Sequence, residues 1–141
     1  MILNCNFEEL RALATGAELI LSDHGHASMG GIVAPATAVA EIEMLQPRLF
    51  GDLTITTLAE QRMVRKAVAA ICEDLHDRLE EKVIQLHPAH EEAVSLYFDY
   101  AHTFAVLTRL DEMGVEMNAL IELMTGQPVN DVAAATYTFP D

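Results

Sequence analysis

Basic residues are scarce in this chain. It carries 8 Lys and Arg against 22 Asp and Glu, which gives a formal net charge of −14. Phosphate backbones and anionic lipids are bound through cations, so this balance argues against direct nucleic-acid or membrane binding. Two functions fit an acidic surface better: interaction with another protein, or inhibition of a basic nucleic-acid-binding site by mimicry of nucleic acid.

The sequence also has few cysteines, and we find in it neither a secretory signal nor a long apolar run. Cys5 and Cys72 are the only cysteines, and two do not form a disulfide framework in a chain of 141 residues, which favours a reducing cytoplasm. The start, MILNCNFEEL, lacks the cationic and long apolar segments of a secretory signal. The longest apolar-looking run, 93–107, contains Asp99 and His102 and is shorter than the ~20 residues that span a bilayer. We therefore expect a cytoplasmic protein without a membrane span.

Apolar residues, in contrast, are plentiful. They make up 51% of the chain and charged residues 21%, a composition that excludes wholesale disorder. A chain of 141 residues has the length of one domain with a substantial core. We expect a single domain over residues 1–141.

The first third of the chain predicts two helices separated by a loop. Asn6-Phe-Glu-Glu9 has the pattern of a capping box, and the helix behind it should end near 22–24. Glycines and short residues over Asp23–Pro35 predict an irregular loop. A second helix is favoured over Ala36–Gln46, although AVAEIEM also alternates as a strand does, and Pro47 ends either version.

The middle of the chain predicts a long helical hairpin. Thr57-Leu-Ala-Glu60 is a second capping box, and apolar residues at near-heptad steps carry the helix to about Leu86. His87-Pro88 then ends this helix and starts the next, which should run from Ala89 to about Met113. This second long helix is apolar around most of its circumference, which indicates a central position or burial in a dimer.

The end of the chain predicts a further short helix and a tail. Gly114 is expected to break the second long helix, so that Val115–Thr125 forms a separate one before Gly126. The final AAATYTFPD alternates as an extended arm does. The predicted fold class is all-α, with four to five helices around a long antiparallel hairpin at about 57–113 and a short extended C-terminal tail.

Two motifs on the hairpin contain residue types that commonly bind metal ions. Glu73 and His76 in EDLH, and Asp99 and His102 in DYAH, each place a carboxylate three residues before a histidine, so both groups share one helix face. Counting from the turn at His87-Pro88 places the two motifs at matching heights. These four residues are the candidate metal ligands.

The EDLH motif is similar to the Glu-x-x-His motif of ferritin-like di-iron proteins, which take one from each of two helices and a further Glu from two others. The resemblance implies a metal-binding or di-iron oxidoreductase function with iron, manganese or zinc, and Glu41 or Glu43 could supply another ligand. The chain departs from that pattern because its motifs lie on consecutive helices and one begins with Asp.

The helical period favours a simpler interpretation of the same residues. At 100° per residue, both motifs point away from the expected seam of the hairpin. A solvated strip with local acid–histidine pairs then explains them without a cofactor, and an interface strip in an oligomer is a third possibility. His24 and His26 also form an incomplete ligand set, and Ser95, Asp99 and His102 form a row rather than a hydrolytic triad. We therefore expect no catalysis.

The charge pattern of the first hairpin helix suggests self-association. Arg62, Arg65 and Lys66 lie in its early turns, where cations oppose the helix dipole, and acids dominate its later turns. An antiparallel copy would set the basic end of one chain against the acidic part of the other. The sequence thus predicts a cytoplasmic interaction or scaffold module, a homodimer or the partner of another protein.

Overall fold

The computed structural model describes residues 1–30, 38–126, 129 and 137–139, and for 24–30 it describes the backbone alone. Within these residues the fold is all-α, as predicted, with minor strand pairing. The α-helices are α1 (Phe7–Gly30), α2 (Val39–Leu45), α3 (Leu58–Gln85) and α4 (Glu91–Thr125), and the strands are β1 (Ile2–Leu3) and β2 (Leu53–Thr54).

Both predicted capping boxes start helices. The Asn6 N–H donates to Glu9 Oε1 at 3.0 Å, and the Glu9 N–H donates to Asn6 Oδ1 at 2.8 Å, so α1 begins with a reciprocal pair. At the start of α3, the Glu60 N–H donates to Thr57 Oγ1 at 3.0 Å, while the Glu60 carboxylate accepts from the Thr56 N–H. Each box satisfies backbone donors that a helix start leaves free.

Helix α1 is longer than predicted. It runs to Gly30, so the expected end near 22–24 and the expected loop are wrong for residues 23–30; residues 31–35 lie outside the described part of the chain. Arg78 on α3 explains the stretch up to Asp23, because its Nη2 donates to Leu19 O at 3.5 Å and pairs with the Asp23 carboxylate. Contacts between helices override weak local propensity here.

The second predicted helix is present, although it is shorter. Helix α2 buries Ile42 and Leu45, and Pro47 follows in a 3-10 turn over Gln46–Arg48. The first two residues of the prediction, 36 and 37, lie outside the described residues. Ala38, which precedes α2, has a left-handed backbone conformation with φ 68°.

Helices α3 and α4 form the predicted hairpin, but the predicted break at Gly114 is wrong. Helix α4 passes through Gly114 and ends at Gly126, which has φ +69°. Gln61 on α3 explains the glycine: a Cβ at 114 would lie 2.8 Å from Gln61 Nε2, the atom that donates to Leu110 O at 2.8 Å. Gly114 therefore admits a buried side chain from the neighbouring helix and does not end its own.

A pair of short strands, absent from the sequence prediction, ties the N-terminus to the start of α3. Strands β1 and β2 are antiparallel, with Ile2 opposite Thr54 and Leu3 opposite Leu53. The described part of the C-terminal tail lies beside them: Thr138 bridges Thr57, and the Phe139 N–H donates to Thr56 O at 2.6 Å. This part of the tail is extended, as predicted.

The core lies on one side of α4. Helices α1, α2 and α4 all pack against α3, and α1 also packs against α4. The buried residues of α4 recur with helical spacing on the side facing those helices: Ala93, Thr103, Val106, Leu110, Met113, Met117 and Ile121. The opposite side of α4 faces away from the other helices.

Candidate functional site

The EDLH motif lies on the exposed surface of α3. Glu73 and His76 are both exposed, and the His76 ring lies 5.5 Å from the Tyr100 ring, centroid to centroid. This contact confirms that the two motifs lie at the same height along the hairpin. It also shows that His76 meets the side of α4 that carries Tyr100.

The DYAH motif lies toward α1. Burial raises the pKa of the Asp99 carboxyl above its usual value, and the positive charges that oppose this shift are Arg11 on α1 and His102. The charge of His102 also acts on Glu9 of α1. His102 Nδ1 lies 2.7 Å from Phe98 O of its own helix. Asp99 and His102 thus face α1, whereas His76 lies against Tyr100.

The predicted metal ligands therefore do not gather into one cluster. Among the side chains that the structure describes, one group of three possible ligands lies within 4.8 Å, and it consists of His76, Asp77 and Glu80. It shares only His76 with the predicted set, and its members are all exposed on one helix. Metal binding by Glu73, His76, Asp99 and His102, with iron, manganese or zinc, stays a prediction.

The remaining sequence candidates offer little chemistry. The His24 and His26 side chains lie outside the described residues. Cys72 is buried in the core, and burial raises the pKa of its thiol, so the reactive thiolate is disfavoured. Burial likewise raises the pKa of the half-buried Cys5 thiol. Both cysteines behave as small core or boundary residues.

Two of the three cations at the start of α3, Arg65 and Lys66, have partners within the chain. Arg65 Nε lies 2.5 Å from Asp111 Oδ1 on α4, and Lys66 Nζ lies 3.0 Å from Glu41 Oε1 on α2. These pairs place the basic turns of α3 against acids of neighbouring helices. These internal pairs weaken the charge argument for an antiparallel copy along α3, which stays a prediction.

The side of α4 that faces away from the core presents an exposed apolar strip. We define the α4 outer face as the residues that recur at i, i+3, i+4 and i+7 on this side over about 21 Å of helix, namely Val94, Tyr97, Phe98, Ala101, Phe104, Ala105 and Thr108. Tyr97 and Phe98 are each 57% exposed and Phe104 is 52% exposed. Large aromatic side chains this exposed are typical of interaction surfaces when they are contiguous.

Contacts among the rings order this surface. Tyr97 and Phe98 meet edge to face at 6.3 Å, and Tyr100 packs on Phe104 at 6.1 Å between ring centroids. The Thr108 hydroxyl donates to Phe104 O at 3.0 Å, so its donor is already satisfied within the helix. The surface is thus apolar and partly pre-ordered, which reduces the entropy lost when a partner binds.

Acids are absent from the α4 outer face although the chain is strongly acidic. Between 93 and 110 the one acid is Asp99, which the helical period places on the other side of α4, toward α1. The next acids, Asp111 and Glu112, mark the end of the strip. The sequence prediction recognised that this helix is apolar around most of its circumference, but an acid-free apolar stripe is equally typical of a buried side, so the sequence carries no signal that marks the side from Val94 to Thr108 as exposed.

The apolar character of α4 does not make it a membrane helix: none of the helices in the described ranges is both long enough and apolar enough to cross a bilayer. No protein-family model, curated protein or solved structure matches the chain. A functional assignment therefore rests on the chemistry of the molecule itself.

Proposed function

We propose that the protein is a protein–protein interaction module that works through the α4 outer face and forms a homodimer, without catalysis. The observation that carries this proposal is the exposure of Tyr97, Phe98 and Phe104 on the same side of one helix. Aromatic side chains dominate the energetics of interfaces because each buries a large area at low entropic cost.

The size of the surface suits a reversible interaction. An aromatic side chain carries roughly 150–250 Å² of area, so these three, each rather more than half exposed, present roughly 300 Å². This is about the size of the largest apolar patch on a typical monomer and below the ~800 Å² that each partner buries in a standard interface. We therefore expect dissociation at micromolar rather than nanomolar concentrations.

A charge placed in the strip tests the proposal. Phe98→Glu would bury a carboxylate in the interface at a cost of several kcal/mol, and 2.7 kcal/mol already corresponds to about 100-fold in affinity. Light scattering after size-exclusion chromatography should show that this variant dissociates at concentrations at least about 100-fold higher than the wild type does. Because Phe98 is exposed in the single chain, the circular dichroism of the variant should be unchanged.

Phe50 provides the matched control. It is 87% exposed, lies near the start of β2 and does not belong to the α4 outer face, so Phe50→Glu adds the same charge in place of an equally large ring. This variant should self-associate as the wild type does. Equal behaviour of Phe98→Glu and Phe50→Glu would refute the assignment of the interface to α4.

A further inference from the structure

We propose that His76, Asp77 and Glu80 bind one zinc ion on the exposed side of α3. The three residues offer one imidazole and two carboxylates, which are ligand types that zinc takes in proteins. This set shares only His76 with the ligands predicted from the EDLH and DYAH motifs. The site is independent of the proposed function, because none of its residues belongs to the α4 outer face.

The helical spacing brings the three ligand groups together. Glu80 lies four residues after His76 and three after Asp77, so its side chain stands one turn further along α3 and, around the axis, between the other two. One possible ligand atom of each residue lies within 4.8 Å of the others, and His76 Nδ1 is 3.7 Å from Asp77 Oδ1. Ligand atoms around a tetrahedral zinc ion lie about 3.4 Å apart, since each is roughly 2.0–2.2 Å from the metal. Rotation of these exposed side chains between rotamers is sufficient to close the difference.

The two carboxylates of the site have no basic partner. Arg78 pairs with carboxylates of α1 and of the preceding turn of α3, and Lys82 pairs with a carboxylate of α4. Within the described ranges, no Lys or Arg forms an ion pair with Asp77 or Glu80. A divalent cation would supply the missing positive charge, in a chain whose net charge of −14 attracts cations as a whole.

The surroundings of the site leave room for water on the metal. The ring of His76 is half-exposed and lies 5.5 Å from the ring of Tyr100, so the imidazole is packed against α4 while it stays accessible. Asp77 and Glu80 also line a surface depression of about 380 Å³, whose other lining residues are Glu81, Ile84 and Gln85. A zinc ion with three protein ligands keeps its fourth position for water, and the depression can hold that water.

The ligand set also selects the class of metal. Magnesium and calcium take oxygen ligands, so the imidazole of His76 adds nothing to their binding. Imidazole suits zinc and the neighbouring transition metals, and zinc binds such sites more tightly than manganese or ferrous iron does. Zinc chloride is therefore the probe for the site, with magnesium chloride as the comparison.

Equilibrium dialysis of the untagged full-length chain against zinc chloride tests the proposal. His76→Ala and Glu80→Gln should each weaken zinc binding by at least about tenfold, the loss that follows when the coordination of a metal is disturbed. Glu81→Gln is the matched control: it removes the same charge from the next residue, which is also exposed but is not a ligand. This variant should change the affinity by no more than about twofold, because salt screens charges that do not touch the ion.

Each of the other outcomes would overturn the site. A wild type that takes up no zinc would do so directly. Zinc binding by His76→Ala with the affinity of the wild type would place the ion at other histidines. Equal losses in Glu80→Gln and Glu81→Gln, or displacement of zinc by an equal concentration of magnesium chloride, would show attraction to an acidic surface without coordination. The circular dichroism of all three variants should match that of the wild type, since the substituted side chains are exposed.

Discussion

The contact between Gly114 and Gln61 gives a prediction whose sign depends on tertiary structure. By helix propensity alone, Gly114→Ala should stabilise α4 by about 0.8–1.0 kcal/mol, because glycine is a poor helix former. The structure predicts the reverse. The added Cβ would lie 2.8 Å from Gln61 Nε2 and 3.3 Å from its Cδ, too close for either atom to stay where it is.

The size of the expected stability change follows from the hydrogen bond or the packing that Gln61 would lose. Its side chain is buried, and Nε2 donates to Leu110 O at 2.8 Å, 49 residues away in the chain. If the amide turns away, an unsatisfied buried group costs about 1–3 kcal/mol. If it stays, the overpacked contact costs about the same. After the gain in propensity of about 1 kcal/mol is subtracted from this cost of about 1–3 kcal/mol, Gly114→Ala should lower the free energy of unfolding by up to about 2 kcal/mol.

Urea unfolding followed by circular dichroism measures this change, at one fixed protein concentration because self-association adds to apparent stability. Ala119→Gly, on an exposed turn of α4, calibrates the propensity effect and should cost about 1 kcal/mol. In a Gln61→Ala background the clash is removed, so Gly114→Ala should become stabilising by about 1 kcal/mol. Stabilisation by Gly114→Ala in the wild-type background would refute the reasoning.

Three further substitutions test other parts of the fold by the same unfolding assay. Glu9 is buried and accepts two hydrogen bonds from Arg109, both 2.7 Å, which hold the pKa of its carboxyl below its usual value. Glu9→Gln should therefore cost about 1–3 kcal/mol at pH 7, and the difference should shrink as the pH falls from about 4.3 through the lowered folded-state pKa; a difference that grows on acidification would contradict this. The fully buried Thr103 hydroxyl has no hydrogen-bond partner among the residues that the structure describes, so Thr103→Val should be neutral or stabilising by up to about 1 kcal/mol, and a clear loss of stability would reveal a partner. A Cβ at Gly16 would overlap Ile71 Cγ2, so Gly16→Ala should cost more than about 1 kcal/mol, and an unchanged midpoint would show that α1 and α3 can separate without loss.

The features predicted correctly from the sequence are mainly those set by neighbouring residues. The starts of α1 and α3 follow from capping boxes whose hydrogen bonds join residues three or four positions apart. The end of α4 follows from Gly126 in the left-handed conformation. The hairpin follows from two long apolar periodicities around His87-Pro88.

The wrong predictions concern contacts between distant residues. Gly114 has the local signature of a helix end, and only the arrival of Gln61 from α3 shows why it does not end α4. The extension of α1 and the pairing of β1 with β2 likewise depend on partners about 50 residues away, Arg78 and Thr54. Weak local preferences are decided by such tertiary contacts.

In the candidate site, too, features set by tertiary packing were harder to predict than features set by neighbouring residues. The helical period predicted that both motifs point away from the packed seam of the hairpin. Glu73 and His76 are exposed, as this predicts, whereas the partly buried Asp99 and His102 lie on the packed side of α4, toward α1. The exposed side of α4 could not be assigned from the sequence, because a helix that is apolar all round presents no stripe. Its direction became visible only once the packing of α1 and α3 against α4 was known.

The most direct test of the homodimer is the mass of the unmodified chain in solution. Sedimentation equilibrium over a range of concentrations should show a reversible monomer–dimer equilibrium, with the mass rising from 15.5 kDa toward twice that value at micromolar concentrations and above. A mass that stays at 15.5 kDa across the whole range would contradict the assignment of the α4 outer face to a second copy.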